Sequence, residues 1–421
     1  MKVFMLGWEF PPFISGGLGT ACYGLSKAMS QMGTQISFVL PRANAADGSE
    51  PVTVLSTEGY TKTDTLTEYQ NIHFKTITSP LTPYASCGTS EGCQTLPEGR
   101  SISAWHCTPS QSSGNYGCNI YEQVYRYASK VVEISALEDF DLIHAHDWMT
   151  YPAAIAVAEA TQKPLIVHVH STEFDRSGDQ VNQTIYNVER AGMHAANKVI
   201  AVSHFTKNII MGHYGVPSGK IEAVYNGVEC NGRSHSRAFK DPSDKIVLFL
   251  GRVTLQKGPE YFIAAAKKVL EVEENVKFIV AGDGDMTHRM IEYAASIGIG
   301  HKVFFAGFLR GAEVDRAYEM ADLYVMPSVS EPFGIAPLEA LKHEVPVLIS
   351  KQSGVSEVLQ HALKVDFWDV NELANKIVAV LRYPPLRSTL RENGHTEAEM
   401  VRWEDSAAKV TAIYKQLLVC A

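Results

Sequence analysis

The chain is short of several things, and each shortage removes a class of function. Positive charge is in deficit: 37 Lys and Arg stand against 46 Asp and Glu, a formal net charge of −9. No basic cluster relieves that balance, so neither a nucleic-acid partner nor docking on an anionic membrane is expected. No apolar run reaches the length of a membrane span, so no integral membrane segment is expected. The chain begins in a strand-like run without a cleavable hydrophobic leader, and a cytoplasmic location is the expectation. Cysteine is scarce: seven, an odd number scattered over 421 residues, fit a reducing compartment. Cys87, Cys93, Cys107 and Cys118 gather near His106, without the C-x-x-C pairs of a zinc module. H-E-x-x-H is missing, and so is the dinucleotide fingerprint G-x-G-x-x-G, whose third glycine would fall on Cys22.

What is present is an α/β alternation, twice over. A chain of 421 residues is long for one core, so two domains of about 200 residues each are expected. Strand-like runs at Lys2–Leu6, Gln35–Leu40, Asp141–His146, Leu165–His170, Val199–Ser203 and Ile221–Tyr225 alternate with helical spacing in residues 1–230. Residues 43–119 are polar and rich in Ser, Thr, Gly and Pro, and read as a long loop region over one face. The run Cys230–Lys245 is the expected linker, and a second alternation occupies 231–400. Trp403–Leu418 reads as a closing helix.

The organising stretch is Ser328-Val-Ser-Glu331-Pro-Phe-Gly334-Ile335-Ala-Pro337-Leu-Glu339. An apolar strand precedes it, and a helix with Pro337 in its first turn follows. That is the carboxyl end of a parallel strand, where open α/β sheets hold ligands. Gly334 permits close backbone approach, and the helix start offers N–H groups to an anion. Glu331 and Glu339 are expected to face one hydroxyl-rich molecule, since ionised carboxylates accept from O–H donors. Upstream, Gly251-Arg252 and Lys257-Gly258 follow another strand, and a rigid guanidinium with a flexible ammonium suits a diphosphate. Gly16-Gly17 opens the first helix and offers a second place for phosphate.

Two H-x-H pairs, His144/His146 and His168/His170, end neighbouring strand-like runs. They raise a metal-dependent hydrolase as an alternative. Alternate strand positions share one face, so some of these rings must pack against helices, and no metal is expected. The Asp283-Gly-Asp285 turn is expected to cap a helix rather than bind metal, and Thr150 is expected to cap the helix after His146.

Taken together these motifs resemble the family 4 retaining glycosyltransferases, in which Glu331 to Glu339 matches the E-x-x-x-x-x-x-x-E signature. Trp8-Glu-Phe-Pro-Pro12, Gly16-Gly17 and His144-Ala-His-Asp147-Trp148 are closest to bacterial glycogen and starch synthases. The resemblance implies the GT-B fold: two Rossmann-like doubly wound parallel-sheet domains facing a central cleft, with the last helix, about 400–421, packed back on the first. It implies a nucleoside-diphosphate sugar, UDP- or ADP-linked, as donor and a hydroxyl-bearing carbohydrate as acceptor, without cofactor or metal. By the same resemblance Arg252 and Lys257 hold the diphosphate, His170 and Asn226 the sugar, and Asp147 lies near the sugars. Glu331 orients the sugar and Glu339 the ribose, while Gly251, Gly334, Ile335, Gly16 and Gly17 line the donor. Ser171-Thr-Glu-Phe-Asp-Arg176 is also typical of the family, with no role attached. The chain departs from the pattern where the synthases' Lys-x-Gly-Gly is replaced by Ile14-Ser15-Gly16-Gly17, and where Glu344 stands at a position commonly glycine. A phosphorylase or sugar-nucleotide epimerase on the same fold, or a non-catalytic sugar-binding protein, are the remaining alternatives.

Overall fold

The structure, a computed structural model, describes residues 1–10, 16–42, 71–78, 120–229 and 244–420. Cys87, Cys93, Cys107, Cys118 and His106, the Ile14-Ser15 departure and most of the expected linker lie outside these residues.

The first sheet has seven strands: β1 (Lys2–Leu6), β2 (Gln35–Arg42), β3 (Ile72–Thr78), β4 (Leu142–His146), β5 (Leu165–Val169), β6 (Lys198–Ala201) and β7 (Ile221–Ala223). Their order is β3-β2-β1-β4-β5-β6-β7, and every pairing is parallel. The second sheet has β8 (Lys245–Leu250), β9 (Val276–Ala281), β10 (Val303–Gly307), β11 (Leu323–Met326), β12 (Val347–Ser350) and β13 (Leu363–Val365), ordered β10-β9-β8-β11-β12-β13. Both are doubly wound, and each reverses direction once, between β1 and β4 and between β8 and β11. Such switch points open a crevice at the strands' carboxyl ends.

The strand sequences explain the layering. Every residue of β4 and β5 is buried, as befits central parallel strands covered on both faces by helices. The closing helix, Trp403–Cys420, belongs to the first lobe's core through Trp403, Ala407, Val410, Ile413 and Tyr414. It comes close because Gly24 faces it; a Cβ there would sit 2.2 Å from the Trp403 indole.

Several expectations need correction. The polar region 43–119 contains a strand, β3, which pairs with β2 from Ile36↔Ile72 to Arg42↔Thr78. Ile72, buried, and Phe74, half-buried, supply apolar side chains to this edge strand. Thr150 does not cap through its side chain: its hydroxyl donates back to the carbonyls of His146 and Asp147. Asp283 accepts from Gly284 N–H and the Thr287 hydroxyl, each at 2.8 Å, but the N-cap of helix Thr287–Ser296 is Met286. After Ser353 the chain makes a single 3₁₀ turn, Gly354–Glu357.

Candidate active site

The second lobe brings its charged residues together at the β8/β11 switch point. Leaving β8, the chain passes Gly251 and Arg252 into a tight turn, Leu255–Lys257, closed by Gly258. Gly258 has φ of +64°, and a Cβ on it would lie 2.2 Å from the Pro327 carbonyl oxygen. Glycine therefore pins the Lys257 turn to the end of β11. There Lys257 Nζ meets Glu331 Oε2 at 2.5 Å, and Ser328 donates to the same oxygen at 3.4 Å. Glu331 is 6% exposed, so this pair is largely removed from water. Its turn is held in place by a parallel bridge to Ser353. Arg252 donates to Gln256 Oε1 at 3.5 Å from the same turn.

Gly334 (φ +99°) swings the chain into the helix Ala336–Lys342, entered through Ile335. Glu339 lies in that helix and accepts from the Tyr318 hydroxyl at 3.1 Å. Burial pushes its carboxyl up from the ordinary value; Asp315 adds to this, while Tyr318 and Lys342 oppose it. Glu331 and Glu339 both act on the buried phenol of Tyr324, whose hydroxyl donates to Leu250 O.

The first lobe contributes a different chemistry. Asp147, just past β4, has φ 58° and ψ 166°, a backbone region almost reserved for glycine. What holds it there is its carboxylate, which accepts from the N–H groups of His170 at 2.7 Å and Ser171 at 3.4 Å. Asp147 thus fixes the loop after β5 that carries His170. Burial pushes its carboxyl up to about 7, against the two N–H groups and Arg176. His170 shares a 2.9 Å hydrogen bond with His146, and burial holds its imidazole neutral, down to about 3. A Cβ at Gly16 or Gly17 would meet no atom of the described residues within 4 Å. Asn226 is buried where the chain leaves the first lobe, beside Gly227, which abuts the Arg402–Trp403 backbone.

The sequence reading missed what joins the lobes. Ser330, next to Glu331, donates to Asp175 Oδ1 at 2.5 Å. The other oxygen of Asp175 is taken by Thr172, whose N–H and hydroxyl both donate to it at 2.7 Å. Behind it, Arg176 pairs with Glu189 at 2.5 Å and Glu173 at 3.2 Å. The Pro332 carbonyl accepts from Ser203 at 2.6 Å and Thr206 at 3.2 Å. Glu357 of the second lobe accepts from the N–H groups of His204 and Phe205, at 3.0 and 2.7 Å, opening the first-lobe helix His204–Tyr214. A carboxylate is favoured at that positive end. One signal was visible beforehand: Thr172-x-x-Asp175 is the capping-box pattern, and it forms here.

Residues 107–231 match the family model described as glycosyltransferase family 4, and residues 233–397 that of glycosyl transferases group 1. The chain is a family 4 glycosyltransferase of the GT-B fold. It is 28% identical to an uncharacterized glycosyltransferase of Methanocaldococcus jannaschii, over 99% of this chain and 98% of the relative. A glycogen synthase of Mycobacterium tuberculosis is 25% identical over 91% of this chain and 87% of its own. Among solved structures, sucrose-phosphate synthase from Thermosynechococcus elongatus superposes with a TM-score of 0.74 at 20% identity, covering 100% of both chains. The Anabaena protein HepE, solved with UDP and glucose, gives 0.70 at 18% identity, covering 99% of this glycosyltransferase and 100% of its own chain.

Proposed function

We propose that this glycosyltransferase moves a sugar, glucose, from a nucleoside-diphosphate donor to a carbohydrate hydroxyl, with retention at the anomeric carbon. The observation that carries the reading is the Lys257–Glu331 pair beside Arg252, in the crevice where the second sheet reverses. Departure of a diphosphate builds negative charge, and fixed cations stabilise it without a metal in the reaction. Arg252, Lys257 and the turn after Gly251 serve the diphosphate from one lobe, and Gly16-Gly17 from the other. Glu331 then plays two parts, holding Lys257 in place and accepting from a sugar hydroxyl. Glu339 takes the ribose, with Gly334 and Ile335 letting the nucleotide approach the backbone. His170, neutral and oriented through Asp147, meets the sugar from the first lobe, with Asn226 on the same side.

The relatives favour glucose and leave the base between two choices. HepE was solved with UDP and glucose, and the mycobacterial relative is a glycogen synthase, which supports a UDP- or ADP-linked donor. The test is direct: incubate the chain with UDP- and ADP-glucose and oligoglucan acceptors, and measure released nucleoside diphosphate and the product's anomeric configuration. Acceptor-dependent release with an α-linked product is expected. Release that needs inorganic phosphate would mean a phosphorylase, and interconverted sugar without acceptor an epimerase. Donor binding without turnover would leave only a binding protein. Loss of turnover in a chelator, with the protein still folded, would move the chemistry to a metal.

A further inference from the structure

The two H-x-H pairs lie deep in the first lobe, and the proposed donor chemistry uses only His170 among them. Alternation along β4 puts His144 and His146 on one face, with His146 and His168 of β5 directly side by side in the register and His170 just beyond the end of β5. The rings form one cluster: centroids are 4.3 Å apart for His144–His146, 5.2 Å for His146–His168 and 5.4 Å for His144–His168. His144 and His146 are 0% exposed and His168 is 2% exposed.

A core of this kind is expected to satisfy its polar atoms, and this one does so on one side only. His144 Nδ1 is bonded to the Tyr414 hydroxyl, and His146 Nδ1 to His170. The nitrogens left over, Nε2 of His144, Nε2 of His146 and both of His168, have no hydrogen-bond partner among the described residues. Each such orphan is expensive to bury, and three of them within one pocket share a single remedy. His144, His146 and His168 can each aim one ring nitrogen so that all three lie within 4.8 Å of one another.

We infer that His144, His146 and His168 bind one transition-metal cation of the zinc class, as a structural site of the first lobe. The donor set is all imidazole, which suits zinc and its neighbours and not magnesium or calcium, whose ligands are oxygens. A tetrahedral zinc with bonds of about 2.0–2.1 Å spaces its nitrogens roughly 3.3 Å apart, a side-chain adjustment from the present arrangement. The outer bonds match what such ligands require: Tyr414 and His170 occupy the far nitrogens of His144 and His146 and so fix their ring orientation. Cys22, also buried, forms a second set with His146 and His170, which shares only His146 with the first. The inference does not depend on the donor assignment, because its three ligands, His144, His146 and His168, are not among the residues assigned to the donor.

The test is metal content and thermal stability of the full chain, purified without a histidine tag. One equivalent of zinc per chain is expected after dialysis against low-micromolar zinc and then metal-free buffer. Stripping with chelator should lower Tm, and zinc, but not magnesium, should restore it. His168→Phe replaces ring by ring in an apolar surrounding, and should weaken zinc binding at least 100-fold. If that variant does not fold, cobalt substitution of the stripped wild type decides, a tetrahedral cobalt absorption spectrum being the expected result. A folded wild type that holds under a tenth of an equivalent of zinc, with Tm unmoved by zinc, would overturn the inference. So would full zinc retention in folded His168→Phe, or a cobalt spectrum no different from that of cobalt in buffer.

Discussion

The two lobes share a strand order, yet they face the crevice with opposite chemistry. The second lobe presents ions: Arg252, Lys257 and Glu331 around one switch point, with Glu339 close behind. The first presents imidazoles that burial holds uncharged, beside Asp147, whose carboxyl burial pushes up to about 7. The same backbone plan carries a Lys–Glu ion pair on one wall and neutral rings on the other. The donor proposed above has that same division, an anionic end and a hydroxylated end. The largest expected effect follows from the charged wall. On the proposed reading Lys257→Ala removes a cation that serves the leaving group and leaves Glu331 without its partner, so kcat should fall about 10²–10³-fold. Circular dichroism should show the protein still folded. Near-normal turnover in a folded Lys257→Ala would break the comparison at its centre.

The walls act together only if the lobes are held in register, and the Ser330–Asp175 hydrogen bond joins them one residue from Glu331. A hydrogen bond to a charged group is worth about 1.5–3 kcal/mol, and about 1.4 kcal/mol is tenfold. Ser330→Ala should therefore lower kcat/KM roughly tenfold. Tm should fall by only a few degrees, since neither lobe's core is touched. A drop in Tm with unchanged kinetics would make this contact structural and separate it from the cleft.

A smaller effect tests the ribose assignment through pH. Glu339 faces Tyr318, Asp315 and Lys342, and burial, its largest influence, raises its pKa above the usual 4.5. A carboxylate accepts hydroxyl protons best when ionised, so donor affinity should fall on acidification, beginning at higher pH than for an exposed glutamate. Stability runs the other way. Because the folded pKa is the higher one, this site's contribution is complete below pH 4.5 and is lost as pH rises through the folded value. Glu339→Gln should flatten the acid limb of donor KM, by a few-fold, and slightly raise Tm at neutral pH. An acid limb identical in the variant would remove Glu339 from the donor site.

Most of the chemistry was legible because it sits on strand ends that local pattern marks well. Glu331, Gly334, Lys257 and the histidine pairs all follow apolar runs, and two glycines with positive φ, Gly258 and Gly334, fall where turns were expected. The joins were not legible. Lys257 and Glu331 are 74 residues apart, and Asp175 and Ser330 are 155 apart. Spacing along the chain carries no information about such pairs, which depend on how two sheets face each other. Strand β3 was missed for a local reason: its seven residues are diluted by polar sequence on both sides.

The weakest prediction separates two strained residues, one in each lobe. Asp147 and Glu344 both have positive φ, 58° and 59°. For Asp147 the strain has a counterpart, since its carboxylate holds the His170 loop. Glu344 lies in the short turn between helix Ala336–Lys342 and β12, where its N–H donates to Leu341 O, a backbone bond that Glu344→Gly keeps. Glycine is free of that strain, by about 1 kcal/mol, but loses more entropy on folding, about 0.5–1 kcal/mol. Glu344→Gly should thus leave kcat and KM unchanged and raise Tm by at most about 2 °C. Should its activity drop several-fold with Tm steady, the strain at Glu344 would be functional like that at Asp147, and the second lobe would hold a working residue on the far side of its helix.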